Sequence, residues 1–178
     1  LAPLSTFENP VVDLTGPIPY AAFQSANDAF FPKRELLYYW KSIYLASLSD
    51  DVIDALLAHE SERPSALPAL SIWAQGGAMR WPREGTTLGP ITAPHLLEIL
   101  AKWSDPAGSD AHIRWTRDIW RSMHRFSSGA TNLNFPGLGE EGEELVLAGY
   151  GENYDRLVAL KTEYDPANLF RINQNIKP

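Results

Sequence analysis

Cysteine is absent from the 178-residue sequence, which excludes disulfides, thiolate metal sites and cysteine nucleophiles. Positive charge is scarce: Lys and Arg number 15 against 22 Asp and Glu, a net charge of −7. That balance argues against a nucleic-acid partner, which normally needs a basic face. No apolar run approaches the roughly 20 residues needed to span a bilayer, so no membrane role is expected. The chain starts at Leu1 without a charged-then-apolar leader, which leaves localisation undetermined. The four histidines, His59, His95, His112 and His124, are never three or four apart, so a protein zinc site is not expected. Phosphate loops are missing as well: there is no GxxxxGK[ST], and Gly137-Leu138-Gly139 is too short to cradle a dinucleotide. A serine triad lacks its GxSxG elbow. Among so many acids, spacing alone selects no catalytic carboxylate pair.

What is present is ordinary for one globular domain: 44% hydrophobic and 21% charged residues, with 12 glycines and 14 prolines forecasting loops and short elements. Leu1–Pro19, with four prolines, reads as an extended arm, and Phe23–Phe31 as irregular. Leu36–Leu45, rich in aromatics, predicts a strand in which Tyr38, Trp40, Ser42 and Tyr44 alternate with Tyr39, Lys41 and Ile43. Ser49-Asp50-Asp51 opens a helix running to about Glu62, before Arg63-Pro64. Leu67–Gln75 has strand character, and Gly76-Gly77 suggests a bulge or a close approach by backbone or ligand. His95–Trp103 fits a strand or a short helix equally well, closed by a turn at Asp105–Gly108.

Ser109–Phe126 is the clearest helix, its apolar row drawn through Ile113, Thr116, Trp120 and Met123 and widened by Ile119. Arg114, Arg117, Arg121 and Arg125 form another stripe, either a solvated face or a docking surface for another domain. Asn132–Phe135 reads as a short strand, Glu140–Ala148 and Glu152–Tyr164 as helices, and Leu169–Pro178 as an extended tail. Strands and helices without strict alternation make the fold class α+β. The expected organisation is an arm over 1–30, an α+β lobe over 31–136 and a C-terminal segment over 137–178.

The closing stretch, Tyr150-Gly-Glu-Asn-Tyr-Asp-Arg-Leu-Val-Ala-Leu-Lys161 and Glu163-Tyr-Asp-Pro-Ala-Asn-Leu-Phe-Arg-Ile-Asn-Gln-Asn-Ile176, resembles the C-terminal signature of the berberine-bridge-enzyme-like flavoprotein oxidases of the vanillyl-alcohol oxidase superfamily. Tyr39-Trp40-Lys41-Ser42, Gly76-Gly77-Ala78, Trp103-Ser104-Asp105-Pro106 and His112-Ile113-Arg114-Trp115-Thr116-Arg117 match more weakly and in the right order. The likeness covers about residues 30 to 178. It implies an antiparallel sheet flanked by helices that roofs a flavin and shapes the substrate pocket, followed by a helical segment and tail. It also implies that most of the FAD site lies in a preceding lobe of the same polypeptide, so that this chain is the substrate lobe and tail of a larger enzyme and holds no FAD alone. The expected substrate is an alcohol, sugar or amine that gives a hydride to flavin N5. The competing reading is a non-catalytic binding module derived from such an oxidase.

The resemblance also defines site candidates. Family members with a Tyr-x-Asn-[FY] strand use its tyrosine as, or to assist, the base; here Asn132 takes that place, and an amide is no base. Others place a glutamate base shortly after the Gly-Gly pair, where this chain has Trp81. The base is therefore unassigned, with Tyr20, Tyr44 and Glu84 as possible relocations. Flavin-edge contacts are expected from Asn134, Asn173 and Asn175, and substrate contacts from Lys41 and Trp81. Without its FAD lobe, the chain is expected to expose an apolar face that a homodimer could cover.

Overall fold

The computed structural model describes residues 15–80, 87, 91, 93–129, 131–135, 137, 142–172 and 174–178. Two compact units divide the chain, Leu1–Glu35 and Leu36–Pro178. In the first, helix α1 (Tyr20–Ser25) is followed by a 3-10 turn over Asp28–Phe30. This corrects the expectation of an extended and irregular stretch there: Pro19 presets the entry to α1, and its carbonyl accepts the first helical bond from Phe23 N–H.

The second unit is built on a three-stranded antiparallel sheet of order β1-β3-β2, with β1 at Leu37–Leu45, β2 at Ala69–Ala74 and β3 at His95–Trp103. The fold is α+β, as expected. His95–Trp103, ambiguous in sequence, is the central strand. Every residue from Leu96 to Trp103 is buried, Glu98 and Lys102 included, so neither face of the strand is solvated.

Helices α2 (Asp50–Glu60) and α3 (Ser109–Met123) cover one face. The core there joins Ile43 and Leu45 of β1, Leu97 and Ile99 of β3, Val52 and Leu56 of α2, and Trp115, Ile119 and Met123 of α3. Burying each such side chain contributes about 1.5–3 kcal/mol. The inward stripe of α3 is His112, Trp115, Thr116, Ile119 and Met123, which corrects the row drawn through Ile113 and Trp120; those two are only half-buried. Amphipathic rings win the inner places because their polar atoms find partners. Trp115 Nε1 donates to the His59 carbonyl at 3.0 Å, and His112 bonds the Gly108 carbonyl at 2.8 Å and Ser65 Oγ at 3.0 Å. On the outer stripe, Arg114, Arg121 and Arg125 are exposed, whereas Arg117 Nε donates to the Tyr39 hydroxyl.

Two further expectations are corrected. Gly76-Gly77 forms no bulge; it follows β2, and Gly77, with φ of +55°, opens a 3-10 turn over Gly77–Arg80. Asn132–Phe135 is a turn and not a strand, because Asn132 Oδ1 accepts Asn134 N–H at 3.0 Å while its carbonyl accepts Phe135 N–H at 3.1 Å. The chain closes with α4 (Gly142–Tyr150), a 3-10 turn over Gly151–Asn153, α5 (Tyr154–Tyr164) and a tail without regular structure. Glu140 and Glu141, expected at the start of α4, lie outside the described residues.

Truncating Ile119 to Ala is expected to cost about 2–5 kcal/mol in chemical denaturation, since it is fully buried between sheet and helix. At Gly149 a methyl group would run into the Leu133 side chain. Gly149→Ala is therefore expected to destabilise, because overpacking at about 1–3 kcal/mol exceeds the gain in helix propensity of about 1 kcal/mol. Adding Leu133→Ala should relieve the clash.

Candidate functional site

Strand alternation separates the sheet residues into two sets. On the helix-covered face stand Tyr39, Lys41, Ile43 and Leu45. Lys41 is buried there, with its Nζ 4.4 Å from the centroid of the Trp120 ring. The opposite face, the far face, carries Tyr38, Trp40, Ser42 and Tyr44 from β1, Leu96, Glu98, Leu100 and Lys102 from β3, and Ala69, Ser71 and Trp73 from β2. The sequence left open which set meets a ligand; the structure puts Lys41 in one and the aromatic-rich set in the other.

The far face concentrates unusual chemistry. Glu98 is only 8% exposed at the middle of the central strand, and its Oε2 accepts the Trp73 indole N–H at 2.9 Å. Ser42 lies directly across from it on β1 and Ser71 on β2. Ser42 is buried, and its Oγ has no hydrogen-bond partner among the described residues. An orphaned hydroxyl beside a buried carboxylate is a pair of groups suited to a bound polar molecule. Tyr38 and Trp40 stack with centroids 5.5 Å apart, and Phe135 approaches Trp40 at 6.1 Å. The Asn132–Phe135 turn therefore stands beside this face. Tyr44 packs with Ile91, Ala93 and Leu96, and burial pushes its hydroxyl above the ordinary tyrosine value. A phenol shifted that way stays neutral and makes a poor base at neutral pH.

Asn132 is committed to closing its turn, while Asn134 is exposed beside it. Asn175 stands apart from these residues in the tail, lining a groove of about 470 Å³ with Leu157, Lys161, Phe170 and Ile176, and its buried Oδ1 is also without a partner among the described residues. Tyr20 is 75% exposed on α1. Trp81, Glu84 and Asn173 lie outside the described residues. Glu98 was missed by sequence reasoning. The missed signal was a lone acid at the centre of the apolar run His95–Trp103, which only the strand assignment turns into a buried carboxylate. Among the described residues no three metal-ligating side chains converge, and no helix is long and apolar enough to cross a membrane.

The tail is tied down by charge. Asp165 Oδ1 accepts Leu169 N–H at 2.7 Å and Oδ2 accepts Phe170 N–H at 3.0 Å, while Lys161 Nζ bonds both Asp165 and the Phe170 carbonyl. Lys177 pairs with Glu143 of α4. The Lys161 bond, with the two backbone amides, holds the Asp165 carboxyl below its usual value of 3.8. Its contribution to stability is accordingly complete above that unfolded value and is lost as pH falls through the lower folded one. The protection of the Leu169 and Phe170 amides, relative to intrinsic exchange at each pH, is expected to fall across that acid window in the wild type. In Asp165→Asn it should be low throughout.

Comparison with known proteins bears on the fold. The family model described as "Berberine and berberine like" matches residues 133–177. An FAD-linked oxidoreductase of Dictyostelium discoideum is 27% identical over 178 residues, covering 98% of this chain and 38% of that protein. The (R)-6-hydroxynicotine oxidase of Paenarthrobacter nicotinovorans is 36% identical over 117 residues, 59% of this chain and 25% of that one. Among solved structures, 6-hydroxy-D-nicotine oxidase from Arthrobacter nicotinovorans superposes with a TM-score of 0.70 at 27% identity, over 94% of this chain and 38% of that one. The chain thus spans well under half the length of these relatives. In sequence and fold it is similar to part of the berberine-bridge-enzyme-like FAD-linked oxidases.

Proposed function

We propose that this chain supplies the substrate wall of an FAD-dependent oxidoreductase, and that Glu98 on the far face is its proton acceptor. The observation carrying this reading is the buried Glu98 carboxylate facing the unpartnered Ser42 hydroxyl at the centre of the sheet. The residues suit one part of FAD and not another. Stacked Tyr38 and Trp40, with the neighbouring turn holding Asn134, suit a flat ring system and its polar edge. Nothing among the described residues forms a pyrophosphate cradle, so the nucleotide half would be held by a further lobe of the complete protein. The exposed side chains of Tyr164, Phe170 and Ile172 on α5 and the tail support such a covering lobe.

When bound, the flavin accepts the hydride that leaves the substrate carbon. The protein's part is orientation and proton transfer. Glu98 takes the proton from the substrate oxygen or nitrogen, Ser42 Oγ hydrogen-bonds the same atom, and Trp73 fixes the carboxylate through its N–H. Tyr44, kept neutral by burial, lines the site without acting as base. Lys41, against Trp120 on the other face, supports β1 and does not touch substrate. Asn134 and Asn175 remain the chain's candidate flavin contacts among the described residues, joined in the proposal by Asn173 and, toward substrate, Trp81.

The test is anaerobic flavin reduction in the purified native protein. Glu98→Gln is expected to slow reduction about 10²–10⁴-fold, the usual contribution of a positioned base, with partial recovery in Glu98→Asp. An unchanged rate in Glu98→Gln removes Glu98 as base. A native protein isolated free of flavin would favour the binding-module reading instead.

A further inference from the structure

Resting on the far face as a substrate wall, we infer that the substrate is a cation: an amine arriving as its ammonium form and not a neutral alcohol or sugar. The inference comes from the surroundings of Glu98. Directly across from it are Ser42 and Ser71; diagonally placed are Trp40 and Tyr44 on β1 and Trp73 on β2; along its own strand are Leu96 and Leu100. None of these places holds a Lys, Arg or His. Lys102, the next basic residue on this face, stands four positions along β3, about 13 Å away at the usual strand rise.

Trp73 gives the carboxylate a hydrogen bond but no compensating charge. A carboxylate at this depth is costly without a cation, and the sheet neighbours supply none. Three aromatic residues, Trp40, Tyr44 and Trp73, hold positions diagonal to Glu98, and diagonal neighbours on a sheet face are about 7–8 Å apart, within reach of long aromatic side chains. Ring faces attract cations and do little for neutral hydroxyls. Apart from Ser42, Ser71 and the Glu98 carboxylate, a polyol would meet only tryptophan, tyrosine and leucine among these sheet neighbours. Carboxylate plus rings is the chemistry that holds an alkyl- or arylammonium, and the Ser42 hydroxyl can accept a second N–H.

The same setting prepares the reaction. The Glu98 carboxylate, held in place by the Trp73 N–H, is positioned to take the ammonium proton. The amine nitrogen regains its lone pair. A flavin bound against this face would accept the electron pair of the adjacent C–H bond as hydride while the nitrogen lone pair forms C=N. Amine and carboxylate would end as an iminium ion and protonated Glu98, balanced by two-electron reduction of the cofactor.

The experiment titrates the native, FAD-loaded protein with benzyltrimethylammonium and with its neutral isostere neopentylbenzene, following tryptophan fluorescence and the flavin absorption spectrum together. The wild type is expected to bind the cation about tenfold more tightly or better, a difference of about 1.4 kcal/mol. Glu98→Gln should abolish the preference and Glu98→Asp should keep part of it. Equal binding of both probes, each shifting the flavin spectrum, would overturn the cationic substrate while leaving the substrate wall standing. A preference that survives in Glu98→Gln would also overturn it. A cation preference that leaves the flavin spectrum unmoved would sink the wall reading, and this inference with it.

Discussion

Burial of β3 on both faces is the constraint on which the rest of the second unit depends. A central strand with neighbours on either side must satisfy its backbone in the sheet, and its side chains must then suit two different environments. Leu97, Ile99, Ala101 and Trp103 meet helices α2 and α3 or the residues packed with them, whereas Leu96, Glu98, Leu100 and Lys102 point the other way. The helix side is an ordinary apolar core. The far side places a carboxylate where a hydrocarbon would be cheaper, which is the kind of local conflict that functional sites tolerate and cores do not.

Much of the scaffold is legible in the sequence, and the failures have physical causes. The aromatic and β-branched run of β1 and the Ser49-Asp50-Asp51 start of α2 lie where local chemistry alone puts them. The central strand is not legible, because burial on both faces erases the alternation that identifies a strand. Glu98 was hidden for the same reason: with no faces assigned, one acid among apolar residues reads as incidental. The Asn132 turn misled because its sequence fits a short strand, while the asparagine amide offers the backbone a better partner locally. On α3, the expected stripe ran through Ile113 and Trp120 and passed by His112 and Trp115. Their polar atoms are satisfied inside, and their rings fill the core.

The C-terminal segment is held differently. Helix α5 has no fully buried residue, and the turn that follows is organised by Asp165, Lys161 and two backbone amides. Polar contacts can fix the path of a chain without requiring it to bury its own apolar side chains. This allows the helix and tail to keep a defined shape while Tyr164, Phe170 and Ile172 face outward. The berberine-like match, residues 133–177, thus includes a helix and tail whose path is fixed largely by polar contacts.

The strand order has a consequence for how the chain is made. β1 and β2 are edges, and β3, which separates them, comes last of the three. During synthesis neither edge can find its partner until residue 103 has left the ribosome. Before that, the aromatic run of β1 is an unpaired strand, with only α2 as local shelter. Arrival of one nine-residue strand then zips both ladders and closes the core together. Sheet formation is consequently a single late event, and a nascent chain halted between residues 74 and 95 would present two sticky edges to any neighbour.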